Sequence, residues 1–149
     1  MTTIGSLPQP NGESISINLP DEWFYKESFT LLAPDGRANV ILSSEPLEAS
    51  ITTLEFSTIQ GDLLETEFPG YEPSIDQEDF PLASGDVAMI RQFNWTPEDG
   101  SPVTQAQIYF VADGRGLTAT ATATAEHFVA VRETLFGILQ SIFVNGARA

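Results

Sequence analysis

The sequence predicts an α+β domain, an antiparallel sheet of about six to seven strands with two main helices packed on one of its faces. Three observations carry this expectation. Short segments of period-two alternation recur between turn signals, two other stretches show helical spacing behind capping residues, and most strands are joined by hairpin-length loops rather than long crossovers. The 149 residues make one domain's worth, and a chain of that size buries roughly 68–70% of its unfolded surface, enough for a core without staples. The expected organisation is a flexible N-terminal segment over 1–13, the folded domain over 14–143 and a C-terminal tail over 144–149.

Ser14 to Leu19 alternates with period two and stops at Pro20, which suits a first strand with one buried face. Phe29 to Leu32 is a second apolar run, and Pro34-Asp35-Gly36 supplies a tight turn into a third, Val40-Ile41-Leu42. Thr52-x-x-Glu55 has the capping-box spacing, flanked by Ile51 and Phe56 as a hydrophobic staple. A helix should follow with Phe56, Ile59, Leu63, Leu64 and Phe68 along its apolar face, ending before Pro69-Gly70.

Tyr71 to Phe80 reads as extended and acidic, and Val87 to Trp95 as a strand that turns through Thr96 to Gly100 into Val103 to Ala112. Asp113-Gly114-Arg115-Gly116 turns again into Leu117 to Thr124, the cleanest alternation in the chain. The last helix is capped by Thr124, carries Glu126 in its first turn, places Phe128, Val131, Leu135, Ile138 and Ile142 on one face, and should stop at Asn145-Gly146.

Composition excludes more chemistry than it suggests. The chain has six basic residues, one His (His127) and no Cys, so a multi-His metal cage, a His-paired nucleophile away from His127, a disulfide and thiol chemistry are all ruled out. A formal charge of −15 repels phosphate backbones, so nucleic acid and anionic membrane surfaces are poor partners. Nothing near Met1 resembles a signal, no apolar run approaches the ~20 residues of a membrane span, and the chain reads as cytoplasmic. Asp76, Glu78 and Asp79 lack the spacing of a Ca²⁺ loop, and His127 suits a surface or capping role. No cofactor is expected. A hydrolase built on two carboxylates is the enzymatic alternative, but nothing singles out one pair among 21 acids.

The strongest surface signal lies on the meander. If Phe93, Trp95, Ile108, Phe110 and the alanines 119, 121 and 123 face the helices, the opposite face shows Gln92, Asn94, Gln105, Gln107, Tyr109, Thr118, Thr120 and Thr122. Such a face is polar without charge, and amides and hydroxyls both donate and accept hydrogen bonds, so it can receive a partner without burying ions.

Leu19-Pro20-Asp21-Glu22-Trp23 after the opening strand, Ser44-Glu45-Pro46-Leu47, Phe68-Pro69-Gly70-Tyr71, Phe93-Asn94-Trp95, Gln107-Ile108-Tyr109-Phe110 and the Thr-rich last strand come in an order that resembles the DcrB-related family, over residues 14–143. The resemblance implies a Mog1/PsbP-like fold. It also implies the role of members encoded beside type VI secretion effectors, which act as dimeric chaperones holding hydrophobic, transmembrane-like helices of an effector until export. Matched by position, Phe29 and Leu31 would be the apolar pair of that site and Gln107 its strand glutamine, with Ala106 standing where relatives often carry Arg. The expected partner is thus a hydrophobic helical segment of an effector, shielded by a non-enzymatic protein that does not itself insert into membrane; a general adaptor of the same fold is the alternative.

Overall fold

The structure, a computed structural model, describes residues 2–8, 14–24 and 26–144. The α+β class holds. Strands β1 (Thr2–Pro8) and β2 (Ser14–Leu19) pair as an antiparallel hairpin, β1 lying in a segment where no strand was expected. Strands β3 (Glu27–Leu32), β4 (Ala38–Pro46), β5 (Glu72–Pro81), β6 (Val87–Trp95), β7 (Val103–Ala112) and β8 (Arg115–Thr124) form one antiparallel sheet in the order β3-β4-β8-β7-β6-β5. Helix α1 (Thr53–Glu67) crosses from β4 to β5, and α2 (Ala125–Gln140) follows β8 directly.

Both helices start where their caps dictate. The Thr52 hydroxyl accepts the Glu55 N–H at 3.1 Å, and the Glu55 carboxylate accepts the Thr52 N–H at 3.3 Å. The Thr124 hydroxyl accepts the His127 N–H at 3.3 Å. Helix α2 ends at Gln140 with Ser141 as its cap, ahead of the expected Asn145-Gly146 stop. That stop lies outside the described residues, as do 9–13 of the N-terminal segment and 145–149 of the tail.

The helices do not share a face. Ala38, Val40, Ala88, Ile90, Ala106, Ile108, Ala119 and Ala121 form one buried layer with Phe128, Leu135 and Leu139 of α2. The alanine row lets α2 approach the sheet closely, as the alternation implied. Helix α1 lies on the other side: Phe56 meets Tyr109 edge to face at 6.2 Å between ring centroids, and Phe68, its C-cap, stacks 4.3 Å from Trp95. The reason is the composition of the central strands. Strand β7 buries Ala106, Ile108 and Phe110 on one side and Tyr109 on the other, while β6 buries Ile90 on one side and Phe93 on the other. A sheet whose centre is apolar on both faces requires cover on both.

The contact face of α1 also departs from expectation. Ile59 and Leu63 are exposed, whereas Phe56, Ser57, Gly61 and Leu64 are buried. Small residues at 57 and 61 occupy one stripe, and beneath it lies the guanidinium of Arg91 rather than an apolar floor.

Candidate functional site

Cross-strand register decides which of the expected residues meet. On the α1 side, Asn39, Thr122, Gln105 and Phe93 form one row across β4, β8, β7 and β6. Ile41, Thr120, Gln107 and Arg91 form the next row, and Ser43, Thr118, Tyr109 and Met89 the third. Gln105, Gln107, Tyr109, Thr118, Thr120 and Thr122 therefore do share a face. Gln92 and Asn94 do not: they pair with Ala106 and Thr104 on the α2 side, because β6 puts Phe93 and Trp95 opposite Gln105 and Val103.

The shared face divides in two. Over β6 and β7 it is closed by α1. Gln107 and Tyr109 are buried there, and the Tyr109 hydroxyl donates to the Gln107 carbonyl oxygen Oε1. Over β8 and β4 it stays half-exposed, and the three rows from Asn39 to Ser43 carry no charge there. Gln105 donates to the Thr122 hydroxyl at 2.8 Å and accepts the indole N–H of Trp95 at 2.9 Å, so its amide is already engaged within the sheet.

Phe29 and Leu31 stand on the opposite face. They pair with Leu42 and Val40, whose side chains belong to or pack on the core beneath α2. Helix α2 covers β8, β7 and part of β4 but leaves the β3 flank open, so Phe29 and Leu31 are 47% and 54% exposed. Between β3, β4 and α2 runs an apolar groove of about 440 Å³, whose lining includes Leu31, Ala33, Val40, Val131, Leu135 and Ile138. The apolar pair and the buried Gln107 thus lie on different sides of the sheet and cannot serve one client surface together.

No protein-family model matches this chain, and no curated protein does. Among solved structures, PA94, a protein of unknown function from Pseudomonas aeruginosa, superposes with a TM-score of 0.70 at 17% identity over 95% of this chain and 96% of its own. That likeness shows a shared fold. LpqN of Mycobacterium tuberculosis, involved in cell envelope biogenesis, matches at TM-score 0.47 and 19% identity over 68% of this chain and 59% of its own, too low to carry an argument. The same holds for CalU16 from Micromonospora echinospora, at 0.36 and 17% over 83% and 86%.

One polar centre was missed by the sequence reading. Arg91 is buried beneath α1, where Nη1 donates to the Ser57 carbonyl at 3.1 Å and to the Tyr109 hydroxyl at 3.2 Å, and Nη2 to the Gln77 side-chain oxygen at 3.3 Å. Its one carboxylate contact among the described residues, Nε to Asp76 at 3.4 Å, involves a side chain that is 71% exposed. Gln77 adopts a left-handed φ of 64° within a stretch of irregular β5–β6 register, and its Oε1 also accepts from the hydroxyls of Ser57 and Thr58. Burial works against the Arg91 cation, yet Tyr109, Tyr71 and Asp76 more than offset it and hold its pKa above the ordinary value. Burial pushes the Tyr109 phenol up to about 12, with the Arg91 charge opposing that rise. The signal in the sequence was a lone Arg inside an apolar strand. Its partners come from three other elements, which spacing along the chain does not reveal.

His127 sits in the first turn of α2, as expected of a residue beside a cap. Among the described residues no cluster of three or more His, Asp or Glu side chains could hold a metal, and no helix is long and apolar enough to cross a membrane.

Proposed function

We propose that this chain is a non-enzymatic cytoplasmic binding protein, a chaperone or adaptor that shields an apolar helical segment of a partner, with a secreted effector of the type VI kind as the client class. The groove between β3 and α2 carries the proposal. It is open, apolar and bordered by Leu31 and Leu32, both exposed, on an otherwise strongly acidic molecule. A transmembrane-like helix in water exposes apolar area worth about 25 cal/mol per Å², and a groove of this kind accepts ridges at i, i+3 and i+4. The effector class is what the DcrB-like order of motifs implies. Gln107, engaged by Tyr109 under α1, serves the fold on this reading.

The test is co-expression with a water-insoluble apolar helix fused to a soluble reporter. The wild-type chain should keep the fusion in solution, and Leu31→Asp or Ile138→Asp should release it to the pellet while circular dichroism stays unchanged. Equal rescue by wild type and both variants would overturn the proposal.

A further inference from the structure

The sheet ends in two edges of opposite character. Strand β5 carries Pro73 and Pro81, two breaks in register, a left-handed Gln77 and four acids within ten residues. Every one of these devices discourages another strand from pairing. Strand β3 has none of them except Glu27. Its six residues pair with β4 without a break from Glu27↔Ser44 to Leu32↔Asn39, contain no proline, and are exposed throughout. Its outer row of backbone N–H and C=O groups faces away from β4 beside the apolar groove.

Charge follows the same asymmetry. Residues 44–90 hold eleven carboxylates and no basic side chain, whereas residues 26–43, which include β3 and most of β4, balance Lys26 and Arg37 against Glu27 and Asp35. We infer that β3 is a docking edge for an extended segment of a partner protein. That segment adds a seventh strand to the main sheet, sets alternate apolar side chains against Phe29 and Leu31, and carries basic residues at its ends. Backbone hydrogen bonds supply the affinity and the alternate side chains the selectivity. Basic ends answer the molecule's charge of −15, which repels a second copy of the same chain. This inference goes beyond the helix-shielding role and does not rest on it: it shares Leu31 with the groove, but its affinity comes from the strand backbone.

The probe is the synthetic peptide Ac-Lys-Val-Thr-Val-Thr-Val-Lys-NH2, titrated at low salt into the isotopically labelled chain. Binding should shift the amide resonances of residues 27–32. Two N-methylated versions, each blocking one alternate set of amides, should then separate: one loses about 100-fold in affinity as two to three backbone bonds vanish, and the other binds as before. Leu31→Lys should also abolish binding while leaving the amide spectrum dispersed. Equal binding by both methylated peptides, absence of binding, or self-association of the chain that Leu31→Lys abolishes would each overturn the inference. Capture of an apolar helix in the groove alongside any of those results would leave the shielding role standing and this one refuted.

Discussion

A β-carbon added at Gly61 would lie 2.5 Å from Nη2 of Arg91, so the backbone of α1 rests almost directly on a buried guanidinium. In a free helix Gly→Ala gains roughly 0.5–1 kcal/mol. Here the arginine is pinned by four acceptors and cannot step aside without breaking its bonds. Gly61→Ala should therefore destabilise the protein, by about 1–3 kcal/mol, read as a lower urea midpoint at unchanged slope.

Neutral acceptors, more than the one exposed carboxylate, hold Arg91. Arg91→Ala should cost about 3–4 kcal/mol through lost bonds and an emptied site. Asp76→Asn should cost less than about 1 kcal/mol, because the Asp76 side chain is 71% exposed. Urea denaturation of the two variants decides; similar losses would make the ion pair the anchor.

Alkali should loosen the fold through Tyr109. Its folded pKa, near 12, lies above the ordinary 10.0, so the neutral phenol contributes stability that is complete below pH 10 and is lost as pH rises toward 12. The fall should be about 1.4 kcal/mol per pH unit across that window. Tyr71, also raised mainly by burial, adds in the same direction. Denaturant midpoints between pH 9 and 12 should drop accordingly, and Tyr109→Phe should remove most of the slope.

The caps and the edge should respond in opposite ways. Thr52→Ala removes the acceptor for the Glu55 N–H and should cost about 1 kcal/mol. Leu31→Asp, on an exposed strand position, should change stability by less than about 0.5 kcal/mol. Thermal unfolding of both checks this; a large loss for Leu31→Asp would mean that the β3 flank is core rather than a free surface.

Much of the architecture could be read along the chain. The limits of β6 and β7, the Thr52 capping box and the start of α2 at Thr124 follow from local chemistry, because caps and alternation are properties of neighbouring residues. Faces were harder. β6 is apolar on both sides, so nothing in Val87–Trp95 itself tells whether Phe93 or Gln92 turns toward α2, and the answer comes from pairing Phe93 with Gln105. The same pairing puts α1 over Gln107 and leaves Phe29 and Leu31 on the far side. Arg91 was the largest omission, since a buried cation is recognisable only once Ser57, Gln77 and Tyr109 converge on it.

The Thr-Ala repetition of β8 has a consequence for how the sheet finds its phase. Sliding that strand by two positions would put a threonine where another threonine had stood and an alanine where another alanine had stood, so the repeat itself is blind to the error. Two neighbours at its head act as ruler marks. Arg115 Nε donates to the Ser44 hydroxyl at 2.7 Å and Nη2 to the Ser44 carbonyl at 3.1 Å. Gly116 fills a slot where even a β-carbon would come within 2.7 Å of Phe56 and Leu47. A slide one way drives Thr118 into that slot, and a slide the other way pulls Arg115 off Ser44, so a single glycine and a single arginine keep a degenerate strand from settling one notch out.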